Sequence, residues 1–441
     1  MTRFWGVWIG VASLLASAFP FDGHTASLEH ELAGLVIDHP EIRSAAKSLE
    51  AQRKEIDIAR AAYFPSISST SESGHEFVDN PAERNANDGQ NGKASSRTAY
   101  SQNLTVSQNL FDGFQSEAAM RTARLNKEIA RISLENTKQN TVFAGVRAYV
   151  NVLRQKRLVE LARENEATIQ RQLNLEDERV RRGSGAGIDV LTAKSRLQVS
   201  KERRVTFEGA LNDAVTRYAQ TFGHAPNVDA MMDPVPPVEL IPSTLEHSIE
   251  IALNENPSLE NAGATVEVAR ERQKSLRGEL YPSIDMEGQF NYEKHANTVI
   301  GTRRDYSLTL SASWDLFSGF STPASMAQAR FQYRASQDDR DRIRRQVIEQ
   351  TKLSWQALLT AKDRLELLEN AVNIASEVFE SRKKLREAGK ETLLTVLDAE
   401  NEVNSSQIDF TSASYDERIA VFQLLLAIGR LTPSYLQLTP P

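Results

Sequence analysis

The clearest patterning along the chain has period two. Tyr306, Leu308, Leu310, Ala312, Trp314 and Leu316 alternate with serine, threonine and aspartate, as in a strand with one apolar face. Ile284, Met286, Phe290 and Tyr292 share one parity, and so do Tyr100, Leu104, Val106 and Leu110. With a serine-rich stretch at 65–78, these segments predict two hairpins, 65–110 and 282–317, with strands of about 10 residues, the length that spans a bilayer as a barrel strand. Elsewhere the period is helical. Phe114 to about Arg182 and Phe320 to about Ala388 run without internal proline except Pro323, which falls in a first turn where proline is tolerated. Within the second stretch Leu358, Ala361, Leu365, Leu368, Val372, Ala375 and Phe379 step by threes and fours, a coiled-coil seam. Helices are also expected over 187–222 and 392–429, and over 27–62 and 244–280 leading into the strands.

The elements occur twice. "FPSI" at 64–67 returns as "YPSI" at 281–284, and His39-Pro40 as Asn256-Pro257, both 217 positions on. "LFDGF" at 110–114 returns as "LFSGF" at 316–320 after 206 positions, and Gly183 then falls on Gly389 at that same spacing. The 11-residue difference is confined to the first hairpin, where "DNPAERNANDGQNGK" at 79–93 has no periodic apolar residue and reads as an exposed tip. A proline-rich linker, 224–243, separates the copies at 19–223 and 244–431, and 432–441 form a tail.

The pentapeptides mark strand-to-helix joints. Leu110-Phe111 and Leu316-Phe317 end strands, Asp112 and Ser318 are candidate helix caps, and Gly113 and Gly319 permit a close approach or a left-handed backbone before Phe114 and Phe320. Gln115 is placed to complete a capping box with Asp112. Pro65 and Pro282 mark the opposite, helix-to-strand joints. Aromatic residues at all four joints, with strands of bilayer length, favour a headgroup-level belt over the packing of a soluble sheet end.

Composition narrows the classes. Residues 1–18 read as an export signal: Arg3, an apolar run from Phe4 to Leu15, and a cleavage site at Ala16-Ser17-Ala18, with another small-residue site ending at Ala26 as the alternative. No cysteine is present, which excludes disulfides, thiolate metal sites and a lipid-bearing cysteine. The longest later apolar run, "IAVFQLLLAI" at 419–428, is too short for a membrane-spanning helix. A net charge of −7, with 52 basic residues dispersed among 59 acidic ones, argues against a nucleic-acid partner. Seven scattered histidines and the absence of a nucleophile motif leave no case for an enzyme, a metal or a cofactor. "GSGAG" at 183–187 follows a helix rather than a strand and lacks the lysine of a phosphate loop, so its glycines read as a helix end and turn. A soluble periplasmic adaptor or coiled-coil structural protein fits the helices alone, but has no use for two aromatic-ended, bilayer-length hairpins. Four strands cannot close a barrel, and open edges are not tolerated in lipid, so the chain must oligomerise.

Tandem copies, Leu-Phe-x-Gly-Phe after the second strand of each, and "GIDVLTA" and "LLTVLDA" after helical turns together resemble the TolC family of outer-membrane channels over about residues 28–431. The resemblance implies an α+β membrane protein: a homotrimer whose shared twelve-stranded β-barrel sits in outer-membrane lipid and continues as a long α-helical barrel in the periplasm. It implies partnership with a periplasmic adaptor (membrane fusion protein) and an inner-membrane transporter. "VNVLRQKRLVELARENEATIQ" at 150–170 and the missing cysteine look more like the type I secretion branch, with an ABC-type transporter, than like small-molecule efflux with an RND-type pump. Family members dock the adaptor at the helical tips, here Gly183, Ser184, Gly389 and Leu394. Their entrance aspartates map onto Thr395 and Asp398, of which only Asp398 matches, with Asp189 at that level in the first copy. Glu391 replaces an arginine that latches the entrance elsewhere in the family.

Overall fold

The computed structural model describes residues 27–79, 95–296 and 301–436. The predicted export signal, most of the tip predicted at 79–93 and the end of the tail therefore lie outside the described residues.

In chain order the elements are α1 Leu28–Asp38, α2 Pro40–Ala61, β1 Ser66–Val78, β2 Ser95–Phe111, α3 Gln115–Arg181 and α4 Gly187–Phe222. The second copy repeats them as α5 Leu245–Glu255, α6 Pro257–Gly278, β3 Ser283–Lys294, β4 Thr302–Ser313, α7 Ser321–Glu387 and α8 Leu393–Ala427. The helices expected at 27–62 and 244–280 are each broken once. His39 and Asn256 take extended backbone (ψ 129° and 120°) because proline follows, and each caps the helix that the proline begins, His39 Nδ1 accepting from the Glu41 amide and Asn256 Oδ1 from that of Ser258.

The four strands form one antiparallel sheet in the order β1-β2-β3-β4. Its register puts Ile67, Val106, Gly288 and Leu308 in one row across the sheet, so the apolar parities of all four strands share a face. On that face the rings of Phe290 and Tyr306 lie 4.9 Å apart, and those of Tyr100 and Tyr292 6.0 Å. β4 ends at Ser313, short of the expected 317, whereas β2 continues to Phe111 by pairing with Ile284 across a bulge. The difference has a plain cause: β4 is an edge of the sheet in a single chain, and nothing pairs with the residues after Ser313.

α3 and α7 are each 67 residues long, about 100 Å at 1.5 Å per residue. α4 packs back along α3 and α8 along α7. The main core sits midway along these helices, where Val142, Val146, Tyr149 and Val150 meet Tyr218, Phe422, Leu424 and Leu425. The linker is pinned there: the Tyr149 hydroxyl donates to the Met232 carbonyl (2.8 Å) and accepts from the Met232 amide (3.1 Å), while Asp233 accepts from Tyr415 and Arg418. A separate small core near the far tips joins Ile169, Leu173, Val190, Ala193 and Leu197 to Leu393 and Leu397, uniting the two copies. Among the described residues no helix is long and apolar enough to cross a membrane.

Candidate functional site

Both helix pairs turn at the tip by the same device. Gly183 (φ +77°) and Gly389 (φ +69°) take left-handed backbone, and the amides of Ser184 and Lys390 reach back to the carbonyls of Arg179 and Leu385 at 3.0 and 2.9 Å. This closing bond ends a helix without orphaned carbonyls, and glycine meets its left-handed requirement at least cost. Gly183, Ser184, Gly389 and Leu394 are all exposed, with Ile188 and Leu191 uncovered beside them.

One cation ties the two tips together. Arg386 donates through Nη2 to Glu176 Oε2 and to Asp189 Oδ2, both at 3.1 Å, and through Nη1 to the Glu391 carbonyl at 3.1 Å. Glu176 is nearly fully buried and accepts a second bond, from Arg179 at 2.8 Å. Glu391 itself pairs with Arg382 at 3.1 Å. The arginine that bridges the two copies lies one turn before Gly389, and position 391 contributes its backbone carbonyl. Asp189 and Glu176 are its two acceptors in the first copy.

Asp398 is also engaged. Its Oδ1 accepts from Arg196 Nη2 at 2.7 Å, a bond from α4 to α8 on an exposed surface. Thr395, in the first turn of α8, donates its hydroxyl to the Thr392 carbonyl at 2.8 Å, and the Thr392 side chain caps the helix. Arg386, Glu176, Arg196 and Glu400 are the tip residues that the sequence motifs did not single out.

Glu400, less than a turn beyond Asp398, is buried with both carboxyl oxygens unbonded, and the side-chain nitrogen of Asn404 one turn on is unbonded as well. Burial pushes the Glu400 carboxyl from an ordinary 4.5 up to about 7, only partly offset by Arg171. Between those values the folded chain holds a proton that the unfolded chain releases, so stability falls as pH rises across that window. Glu400→Gln should abolish this loss and stabilise the tip above pH 7 by on the order of 3 kcal/mol. Thermal unfolding at pH 5 and pH 8 checks it: the gain is expected at the higher pH and not at the lower, and equal gains at both would refute the assignment.

At the other end lie the strand–helix joints. Leu110 and Phe111 close β2. The Asp112 carboxylate accepts from the amides of Gln115 (3.0 Å) and Ser116 (2.7 Å), capping α3 across a left-handed Phe114 (φ 67°) rather than from the adjoining position. The Gln115 side chain lies against Gly278 instead of completing a capping box. Gly113 (φ +67°) passes so near α6 that a Cβ there would sit 2.2 Å from the Gly278 carbonyl oxygen. In the second copy Leu316 and Phe317 are exposed, Ser318 Oγ accepts from the Thr322 amide at 3.4 Å, and Gly319 (φ +62°) precedes a left-handed Phe320. Rings meet edge to face at both joints, Phe111 with Phe114 and Phe317 with Phe320, each at 5.3 Å. Pro65 and Pro282 immediately precede β1 and β3. Among the described residues no cluster of potential metal ligands occurs.

A four-stranded sheet with one apolar face and aromatic ends, set on two 67-residue helices, is one chain's share of a trimeric outer-membrane barrel with a helical periplasmic extension. The sequence matches the outer membrane efflux protein family over residues 35–224 and 248–430, and the chain belongs to that family. It is 23% identical to the outer membrane efflux protein BepC of Brucella suis over 97% of this chain and 91% of that protein. It is 25% identical to the outer membrane protein TolC of Vibrio cholerae over 89% and 88% of the two, and 24% identical to the alkaline protease secretion protein AprF of Pseudomonas aeruginosa over 95% and 85%. A crystal structure of a membrane protein from Pseudomonas aeruginosa superimposes with a TM-score of 0.80, covering 96% of this chain and 99% of that one at 16% identity. The chain is a channel component, not an enzyme, of the outer membrane.

Proposed function

We propose that this chain forms the exit duct of a type I protein secretion system: a homotrimer that receives a periplasmic adaptor at its tips and, behind it, an ABC-type inner-membrane transporter. The supporting observation is the likeness to a protease secretion protein along 95% of the chain. Small-molecule efflux with an RND-type pump is the second reading, favoured by the likeness to BepC.

Under either reading the exposed tips, Gly183, Ser184, Gly389 and Leu394 with Ile188 and Leu191, are the adaptor's docking surface. Asp398 and Asp189, with Thr395, line the entrance. Arg386 and Arg196 hold those two carboxylates in ion pairs within one chain. Opening of the entrance must break or re-pair them.

Cross-linking in cells, followed by identification of the captured inner-membrane protein, separates the readings. An ATP-hydrolysing transporter, with loss of a secreted protein when this chain is deleted, is the expected result. Capture of a proton-driven pump, with raised sensitivity to toxic compounds and unchanged secretion, would replace the first reading by the second.

A further inference from the structure

At the sheet end of the helices, α6 and α7 enclose a cavity of about 640 Å³ whose charged lining is Arg277, Arg330 and Arg334, with no carboxylate among them. Among the described residues none of these three side chains makes a hydrogen bond or an ion pair, and Arg334 leaves Asp338, one turn on, untaken. We propose that this cavity binds the phosphate of an anionic phospholipid headgroup in the periplasmic leaflet of the outer membrane. The inference rests on the outer-membrane placement of the chain and holds whether the cargo is a protein or a small molecule.

The cavity opens on the lipid side of the wall. Trp314 continues the apolar alternation of β4 beyond Ala312, and its indole nitrogen donates to the Leu280 carbonyl at 3.1 Å. Leu280 is also part of the cavity lining, so the opening lies beneath the apolar face of the sheet. Leu280, Pro323 and Met326 make its upper wall apolar, where the first methylenes of an acyl chain would lie, and Arg330 and Arg334 follow Met326 one and two turns farther from the sheet. α7 runs away from the sheet and α6 toward it. Because each Cα–Cβ bond tilts toward the N-terminus of its own helix, Arg330 and Arg334 lean up toward the membrane while Arg277 leans down to meet them. Arg330 stands nine residues beyond Ser321, about 14 Å along the axis, and its long stem reaches back toward an interfacial layer roughly 5 to 8 Å deep.

The donors suit a phosphate. Guanidinium forks match its oxygens in paired, charge-assisted bonds. The Tyr333 hydroxyl, also in the lining, accepts from the Gln337 amide at 3.1 Å and keeps its own proton to donate. A zwitterionic headgroup would bring an ammonium group up to three cations, with no carboxylate to receive it.

The first copy holds the same arginines in a neutralised setting. Arg60 and Arg124 stand 217 and 206 positions before Arg277 and Arg330. Three carboxylates accompany them: Asp57 pairs with Arg60 at 3.7 Å, Glu117 with Arg121 at 2.5 Å, and Glu128 with Arg131 at 2.8 Å. At the same spacings the second copy has Lys274, Pro323 and Arg334 in their place. The arginines are kept and their counter-ions are gone, which turns a paired surface into one that lacks an anion.

Native mass spectrometry of the trimer in non-ionic detergent, titrated with phosphatidylglycerol or with phosphatidylethanolamine, tests the site. Phosphatidylglycerol should bind to one site per chain at concentrations that leave phosphatidylethanolamine unbound, and inorganic phosphate should not displace it. Each basic residue at an anionic lipid surface contributes roughly fivefold to binding, so the triple change Arg277→Gln, Arg330→Gln and Arg334→Gln should weaken binding by about a hundredfold. Arg60→Gln with Arg124→Gln, the matching removal in the first copy, should leave it unchanged. Should the triple variant fail to assemble, Arg277→Gln and Arg330→Gln singly carry the test, each with an expected loss of about fivefold. Equal binding of the two lipids, or undiminished phosphatidylglycerol binding by the variants, would overturn the site. Displacement of the lipid by inorganic phosphate would overturn the lipid as its occupant and leave a pocket for a free anion.

Discussion

Arg386→Ala should loosen the entrance and raise channel conductance in planar bilayers. Arg386 bonds to Glu176, to Asp189 and to the Glu391 carbonyl, and so ties the long helix of the second copy to both helices of the first. Its removal leaves Glu176 buried with Arg179 alone. Breaking a buried pair by deleting one partner costs about 3 to 5 kcal/mol, and the retained Arg179 should bring the loss to the low end. Thermal unfolding should report a tip-specific loss while the membrane-proximal sheet keeps its stability. Arg386→Lys keeps the charge but not the planar fork, which contacts three acceptors at once, and should fall between wild type and alanine. Conductance and stability both unchanged in Arg386→Ala would remove the residue from the gate.

Gly113→Ala should be the most damaging single change at the membrane end. The left-handed backbone costs a residue with a Cβ roughly 1 to 2 kcal/mol. Here the methyl would also lie 2.2 Å from the Gly278 carbonyl oxygen, a backbone atom that cannot rotate away. The joint must therefore open, displacing the first turn of α3 from α6. Yield of detergent-resistant trimer, compared with Gly278→Ala, checks this. Both changes should reduce it severalfold because each places a methyl into the same crossing. Normal yield from both would show that the crossing relaxes more readily than its geometry implies.

Much of the fold was legible because its determinants are local. Alternation at 306–316 marks β4, proline before Ser66 and Ser283 marks two strand starts, and the pentapeptide marks the starts of α3 and α7. The heptad positions from Leu358 to Phe379 turn their side chains away from solvent, while Leu367, Ile374 and Val378 lie exposed. The breaks at His39 and Asn256 are signalled by the prolines that follow, Pro40 and Pro257. The Arg386 bridge was not legible. Arg386 sits in "KLREAGK" among other cations, and its carboxylate partners lie 210 and 197 residues away. Nothing in local spacing distinguishes an arginine that crosses to another helix pair from one that bonds within its own turn, as Arg182 does with Glu178. Asp398 was found by motif, but its engagement by Arg196 depends on how α4 and α8 lie together. Nothing in the sequence marks Glu400, because a single glutamate on a helix ordinarily meets water.

The equal lengths of α3 and α7 restrict how such a chain can change over generations. Each added residue lengthens a helix by about 1.5 Å and rotates everything beyond it by roughly 100°. An insertion in one copy alone would set its tip above the other and turn Asp189 away from Arg386. Lengthening is tolerable only as matched events 206 residues apart, in steps that preserve the heptad. The hairpin loops carry none of the tip contacts and are free of that constraint, and the 11-residue length difference between the copies falls in the first of them.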